Sequence, residues 1–155
     1  MESERLFFRE ITEKDAKLIV GWRSDFETYR YFLNPHKITL EEHLKWYKNI
    51  YKKDENRVDY IAITKASTEP IGVFGLIYQD KTVEVNYLLG EAFRGCGYAS
   101  EAVDFFISYA KGTRKVKTAV AEVHKDNKPS LLLAERMGFS ESKRDGDIIV
   151  FEKDI

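Results

Sequence analysis

Two glycines one residue apart, Gly95 and Gly97, separate a stretch that reads as strand from one that reads as helix. This junction constrains the chain more than any other part of it. Upstream, residues 82–89 alternate and are rich in Val, Tyr and Leu, the signature of a strand. Downstream, Ala99, Ala102, Val103, Phe106, Tyr109 and Ala110 recur at helical spacing as far as Lys111-Gly112, which reads as a glycine stop. Glycine costs about 1 kcal/mol inside a helix relative to alanine, so a pair at a helix start needs a physical reason. Without side chains, successive backbone N–H groups can converge on an anion at the positive end of the helix dipole. The loop reads as a phosphate cradle. A tight turn with no ligand is the plain alternative. A dinucleotide fingerprint is a second, and it fits poorly: Ser100 stands at the third glycine, and Lys115-Val116-Lys117 lies where an acidic residue is expected.

Around this junction the other elements follow in order. Residues 6–11 read as a first strand, and Thr12 caps a helix whose faces carry Ala16, Ile19, Val20 and Arg23, and Leu18 with Trp22. Residues 25–32 read as a further helical turn or two before Asn34-Pro35. Thr39 and Glu42 form a capping box for a helix to about Tyr51, with Leu40, Leu44, Tyr47 and Tyr51 on its buried side and His43 and Trp46 beside that stripe. Strands are expected over 58–64, 71–78 and 115–123. Gly72 and Gly75 in the third strand imply a bend or a close neighbour. Asn127 caps a helix with Pro129 in its first turn, and Gly138-Phe139 ends it as a left-handed cap. Residues 140–153 read as two strands turning at Asp145-Gly146. The order β-α-α-β-β-β-α-β-α-β-β implies an α/β mixed sheet with helices on both faces, in one domain spanning 1–155.

Composition narrows the function classes. With 25 basic and 26 acidic residues, net charge makes no case for nucleic acid or an anionic membrane. One cysteine and three scattered histidines supply neither a disulfide framework nor a metal-ligand cluster. The first residues lack a signal-peptide core, and no run approaches ~20 apolar residues. The expectation is a cytoplasmic, soluble protein with no metal.

Arg94-Gly95-Cys96-Gly97-Tyr98-Ala99 resembles the R/Q-x-x-G-x-G/A motif of the GCN5-related N-acetyltransferases. Asn127-Lys128-Pro129-Ser130 through Glu135-Arg136-Met137-Gly138-Phe139 is similar to that family's N-x-x-S…E-x-x-G-F segment. The two motifs occur in the family's order along nearly the whole chain. The resemblance implies acetyl-CoA as cosubstrate, with Arg94, Gly95, Cys96, Gly97, Tyr98 and Ala99 at its pyrophosphate. It also implies a sheet splayed between strands 4 and 5, where the pantetheine arm lies beside Leu88 and Leu89 and meets Asn127. A main-chain N–H would then face the thioester carbonyl.

For the base, the resemblance points to Glu84 on the fourth strand, with Glu122 as second candidate and water as a carrier. Alternation puts Asn86 on the face of Glu84. Many relatives carry a tyrosine acid one residue before the motif glutamate; here that position is Ala134, which leaves Ser130 or water. On the acceptor side, Trp22-Arg23, Arg30, and Ile38-Thr39-Leu40-Glu41-Glu42-His43 with Trp46 resemble the amino-sugar-nucleotide acetyltransferases of the pseudaminic acid pathway, in the RimJ/RimL-like branch. Arginine would meet a diphosphate, Arg30 foremost, and the rings of Trp22, His43 or Trp46 the sugar or base. The same residues can equally be core and surface. Rival readings are a RimJ/RimL-type protein N-terminal acetyltransferase, a polyamine acetyltransferase, and an acyl-CoA-binding module without catalysis. The final strands are candidates for pairing in a homodimer.

Overall fold

The computed structural model describes residues Met1–Ile155. Its frame is one seven-stranded sheet, ordered β1-β2-β3-β4-β5-β7-β6. The strands are β1 Leu6–Glu10, β2 Arg57–Thr64, β3 Pro70–Gln79, β4 Thr82–Leu89, β5 Thr118–His124, β6 Ser140–Asp145 and β7 Ile148–Asp154. Helices are α1 Ala16–Arg23, α2 Phe26–Tyr29, α3 Leu40–Asn49, α4 Tyr98–Arg114 and α5 Lys128–Arg136. No helix is long and apolar enough to cross a membrane.

Alternation along the strands gives the sheet two unlike faces. One carries Phe8, Tyr60, Ala62, Phe74 and Val85, which join Ala102 and Phe106 of α4 and Ala134 of α5 in the main core. The other carries Ile61, which packs with Ile11, Ile19 and Tyr51 in a small cluster backed by Trp22 and Trp46. This second face is only partly apolar, because the same alternation places Arg57, Asp59, Glu84 and Asn86 on it.

All neighbouring strands are antiparallel except β4 and β5. That parallel pair is short, running from Thr82 opposite Thr118 to Glu84 opposite Val120. Beyond it β4 stays with β3, as far as Leu89 opposite Gly72, and β5 stays with β7, as far as His124 opposite Ile148. The two strands therefore diverge into a wedge whose β4 edge pairs with no strand from Val85 onward. Gly72 helps keep β4 on β3: a Cβ there would lie 2.3 Å from the Leu88 carbonyl oxygen. Of the two expectations for the strand glycines, the close neighbour is realised at both, and a register irregularity also falls beside Gly72, where Ala62 faces Gly72 but Ile63 faces Pro70.

The helix ends follow their sequence signals. Thr39 Oγ1 accepts from the Glu42 N–H at 3.2 Å while Glu42 accepts from the Thr39 N–H at 3.0 Å. After α5, the Gly138 N–H donates to the Glu135 carbonyl and the Phe139 N–H to the Ala134 carbonyl, both at 3.0 Å, with Gly138 at φ +80°. That is the double bond of a Schellman end. Four expectations are corrected. Helix α4 passes through Gly112, which touches nothing, and stops at left-handed Lys115; an exposed glycine weakens a helix without breaking it. Strand β5 consequently begins at Thr118. The closing hairpin turns on Gly146-Asp147, one residue later than expected, with Asp145 already paired to Ile148. In α3 the buried residue is His43, not the Leu40/Leu44 stripe, because the helix lies on the polar face and turns its His43–Trp46 side inward.

Candidate active site

The wedge opens into a cavity of about 1220 Å³ bounded by α1–α3, the divergent ends of β4 and β5, the glycine loop and α5. Three groups of residues meet there.

The first is the glycine cradle. Gly95 and Gly97 sit at φ +73° and +80°, the left-handed region that side chains disfavour. No side chain caps α4, so the N–H groups of its first turn, at Tyr98, Ala99 and Ser100, are left for a partner outside the helix. A Cβ on Gly95 would meet nothing within 4 Å; the loop has open space above it. Its shape is held from the segment just before β1. Arg5 Nη1 donates to the Cys96 carbonyl at 3.0 Å, and Glu101 accepts from Arg5 Nε and Ser3 Oγ, each at 2.6 Å. Arg94 turns away from the loop. Its Nε donates to the Leu89 carbonyl at 3.1 Å and its Nη2 to Asp25 Oδ2 at 2.9 Å and Thr28 Oγ1 at 2.8 Å. Leu88 and Leu89 line the cavity at the wedge, and Cys96 is exposed.

The second is a polar wall on the sheet. Asp59, Gly75 and Asn86 stand opposite one another across β2, β3 and β4. Gly75 is where the two side chains meet: a Cβ there would lie 2.5 Å from Asn86 Oδ1 and 2.8 Å from Asp59 Oδ1. Asp59 is 5% exposed and accepts from Arg57 Nε and Nη2 at 2.9 and 3.0 Å. Burial nonetheless holds its carboxyl above the usual range. Glu84 lies one row further. It is half-buried, and burial followed by repulsion from Glu122 pushes its carboxyl up, against Arg57 and an Asn86 hydrogen bond. Glu122 and Asn86 line the cavity; Glu84 sits behind them. Over this wall lie His43, Trp46 and Arg23, while Tyr31 reaches across to His124 with ring centroids 5.6 Å apart. Arg30 and His43 line the cavity too. Arg30, however, is exposed, paired with Glu27 at 3.1 Å and bonded to the Tyr31 hydroxyl. Trp22 packs elsewhere, its indole Nε1 2.8 Å from where a Gly90 Cβ would be.

The third is a pair of hydroxyls at the foot of α5. Asn127 caps the helix, accepting from the Ser130 N–H at 3.4 Å. Ser130 Oγ is 3.4 Å from Tyr87 Oη, and the Tyr87 ring stacks on Phe74 at 5.6 Å. Burial raises the Tyr87 phenol, which therefore stays protonated. Nothing in the sequence pairs Tyr87 with Ser130, 43 residues apart. The signals that bear on Asp59 and Tyr87 are weaker ones: a lone carboxylate in the apolar run of β2, and a tyrosine beside the motif leucines.

The family model described as acetyltransferase (GNAT) domain matches residues 5–140. The chain belongs to the GNAT acetyltransferases. Among curated relatives, the chain is 27% identical to the uncharacterized protein MJ1062 of Methanocaldococcus jannaschii, over 92% of this chain and 30% of that protein. It thus spans under a third of that relative's length. It is 26% identical to acetyltransferase PseH of Campylobacter jejuni, over 90% of this chain and 86% of that protein. The crystal structure of a domain from M. jannaschii superposes with a TM-score of 0.87 at 24% identity, covering 99% of this chain and 100% of that one. Spermidine N-acetyltransferase from Vibrio cholerae, solved with CoA and spermine, superposes at 0.83 with 18% identity, covering 97% and 95%.

As a GNAT enzyme the protein uses acetyl-CoA and is an acyltransferase. Its residues fit that cosubstrate: the uncapped α4 terminus and the bare glycine loop can receive a pyrophosphate, and the unpaired β4 edge can receive the amides of an extended chain.

Proposed function

We propose that this chain, acting as one domain in the cytoplasm, transfers an acetyl group to the primary amine of an amino-sugar nucleotide in a ternary complex. The observation that carries the reading is the wedge between β4 and β5, which joins the glycine cradle on one side to the polar wall on the other. Similarity to PseH and the Trp22-Arg23 and Ile38–His43 segments support the sugar-nucleotide acceptor. So does Arg23, which lines the cavity with no carboxylate paired to it and is poor company for a polycation.

In this reading the N–H groups of Tyr98, Ala99 and Ser100 bind the pyrophosphate, and Asn127 orients the arm beside Leu88 and Leu89. Acetyl-CoA supplies an activated acetyl thioester. The amine must lose a proton to attack, and the raised carboxyl of Glu84 accepts it through water, with Glu122 at the cavity surface as the second acceptor. Asn86 fixes the Glu84 side chain. Ser130 Oγ, backed by Tyr87 Oη, provides the proton for the departing thiolate in place of the tyrosine that Ala134 replaces.

The test is thiol release from acetyl-CoA with a UDP-linked amino sugar, spermidine and a peptide N-terminus offered separately. Turnover with the sugar nucleotide alone supports the reading. Preference for the peptide gives the RimJ/RimL-type reading, preference for spermidine the polyamine one. Binding of CoA without transfer to any amine leaves an acyl-CoA-binding module.

A further inference from the structure

The arginines of the cavity differ in how they are held, and Arg136, on α5, is exposed to water. Arg57 is held by Asp59, Arg94 by Asp25 and Arg30 by Glu27. Arg23, at the end of α1, has no carboxylate against it, and its Nε is buried without a hydrogen-bond partner. Its guanidinium lies 5.1 Å over the Phe32 ring. Beside it His43 is 1% exposed, with both ring nitrogens buried and unpartnered. Burial, and then the charge of Arg23, push that imidazole down, so it is neutral and offers one N–H and one lone pair. Burial and Arg57 likewise act against the Arg23 charge, opposed by Asp59. Asp59 has already given both its oxygens to Arg57.

A half-buried guanidinium whose Nε is buried and unpaired, with no carboxylate against it, is costly for a fold to keep. Here Arg23, Phe32, His43 and Arg57 all line the cavity, so the missing counter-charge can arrive from it. We infer that Arg23 and His43 form an oxyanion receptor in the acceptor half of the cavity, taking a phosphate or carboxylate carried by the acceptor apart from its amine. The planar guanidinium fork matches either group, and the His43 N–H adds a donor. The inference rests on the acetyltransferase reading for what the cavity holds, and it moves anion recognition from exposed, already paired Arg30 to Arg23.

Calorimetry on protein saturated with CoA, which blocks the cradle, tests this. Uridine diphosphate and glutamate are the probes, and they separate phosphate from carboxylate. Wild type should bind one of them. Arg23→Met should weaken that binding roughly ten- to a hundredfold, while Arg30→Met changes it less. Arg23→Met should also melt about 2–4 °C higher without ligand, because an uncompensated charge has been removed. The inference is overturned if neither anion binds wild type, if Arg23→Met binds like wild type, or if that variant melts lower, which would make Arg23 structural. Titration of CoA comes first: failure there sinks the acetyltransferase reading, whereas CoA binding without anion binding sinks only the receptor. The anion titrations are run in either case.

Discussion

Arg94 and Asp25 are joined by an ion pair of 2.9 Å that ties the approach to the glycine cradle to the N-cap of α2. Asp25 accepts from the Glu27 N–H at 3.3 Å as well as from Arg94, and Thr28 Oγ1 receives the same Arg94 nitrogen at 2.8 Å. Since Arg94 also grips the end of β4 through the Leu89 carbonyl, one guanidinium fixes three margins of the cleft. The part assigned to it by sequence resemblance was contact with the cosubstrate. It lines the cavity, and its observed partners also make it a joint between the two halves of the site.

Asp25→Asn should therefore disturb both substrates. The pair is about one-third exposed on each side, so its loss should cost stability only about 0.2–1 kcal/mol. CoA affinity and acceptor KM should both worsen by more than that stability loss accounts for. Arg94 holds the Asp25 carboxyl below the usual range, so its contribution is complete above the ordinary carboxylate pKa and is lost as pH falls through the depressed folded value. Melting curves across acid pH for both proteins check this; an acid limb unchanged by Asp25→Asn would refute it.

Gly97→Val should abolish CoA binding with the fold retained. Valine at φ +80° carries a left-handed penalty of about 1–2 kcal/mol, small beside the ~5–15 kcal/mol of a typical domain. Its side chain would also meet Arg5 Nη2, 3.3 Å from the new Cβ, and crowd the α4 terminus. Calorimetry decides: wild-type affinity for CoA in the variant would remove the cradle assignment.

Cys96 offers a probe of the same loop. It is free and exposed, and its carbonyl is held by Arg5. Alkylation should be slowed by bound CoA, and Cys96→Ala should stay active, since only the backbone of residue 96 is asked to contribute. An inactive alanine variant that still binds CoA would instead indicate covalent catalysis.

These loop predictions rest on features that were legible along the chain, because glycine pairs, caps and periodicity act over a few residues. Gly95 and Gly97, the Thr39–Glu42 box and the Gly138 cap all work within one turn. The polar wall was less legible. That Asp59 meets Asn86 over Gly75 depends on the register of three strands, and alternation assigns a face without naming the neighbour. Arg23 and His43 were read as parts of a segment similar to sugar-nucleotide enzymes, but that both lack partners is a property of packing. The expected base, Glu84, illustrates the same limit: its strand and face follow from alternation, while its place behind Asn86 and Glu122 does not.

Glu84 gives a prediction with opposite signs for rate and stability. Its folded carboxyl is raised, chiefly by burial, so the folded state holds the proton more tightly than the unfolded chain. Stability then falls as pH rises from the unfolded to the folded pKa and stays lower above it. Glu84→Gln should melt higher than wild type at neutral pH, and this gain should vanish in acid where Glu84 is protonated. The same variant should lose roughly 10²-fold in rate, with the defect shrinking at high pH as the amine deprotonates unaided. An unchanged pH–rate profile would move the role to Glu122 or to water.

The sequence resemblance leads one to expect a tyrosine acid where this chain has Ala134, so the thiolate's proton needs another source. At Ala134, 5% exposed within the core, no hydroxyl is available from that turn of α5. The hydroxyls that do reach the foot of the helix are those of Ser130 and Tyr87, 3.4 Å apart, long for a hydrogen bond in the ligand-free site. Apo contacts of this kind commonly tighten when substrate binds. Tyr87→Phe preserves the stack on Phe74 and removes only the hydroxyl, so its effect on folding should be small. If the pair shares the proton, Tyr87→Phe and Ser130→Ala should each slow transfer by roughly 10²-fold or less, and the double variant should be little worse than the worse single one, as for residues acting as a unit. CoA in complex with either variant should also show a shifted thiol pKa, read as thiolate absorbance during a pH titration. Full additivity of the two losses, with the bound thiol titrating as in wild type, would separate the hydroxyls and return the proton to water.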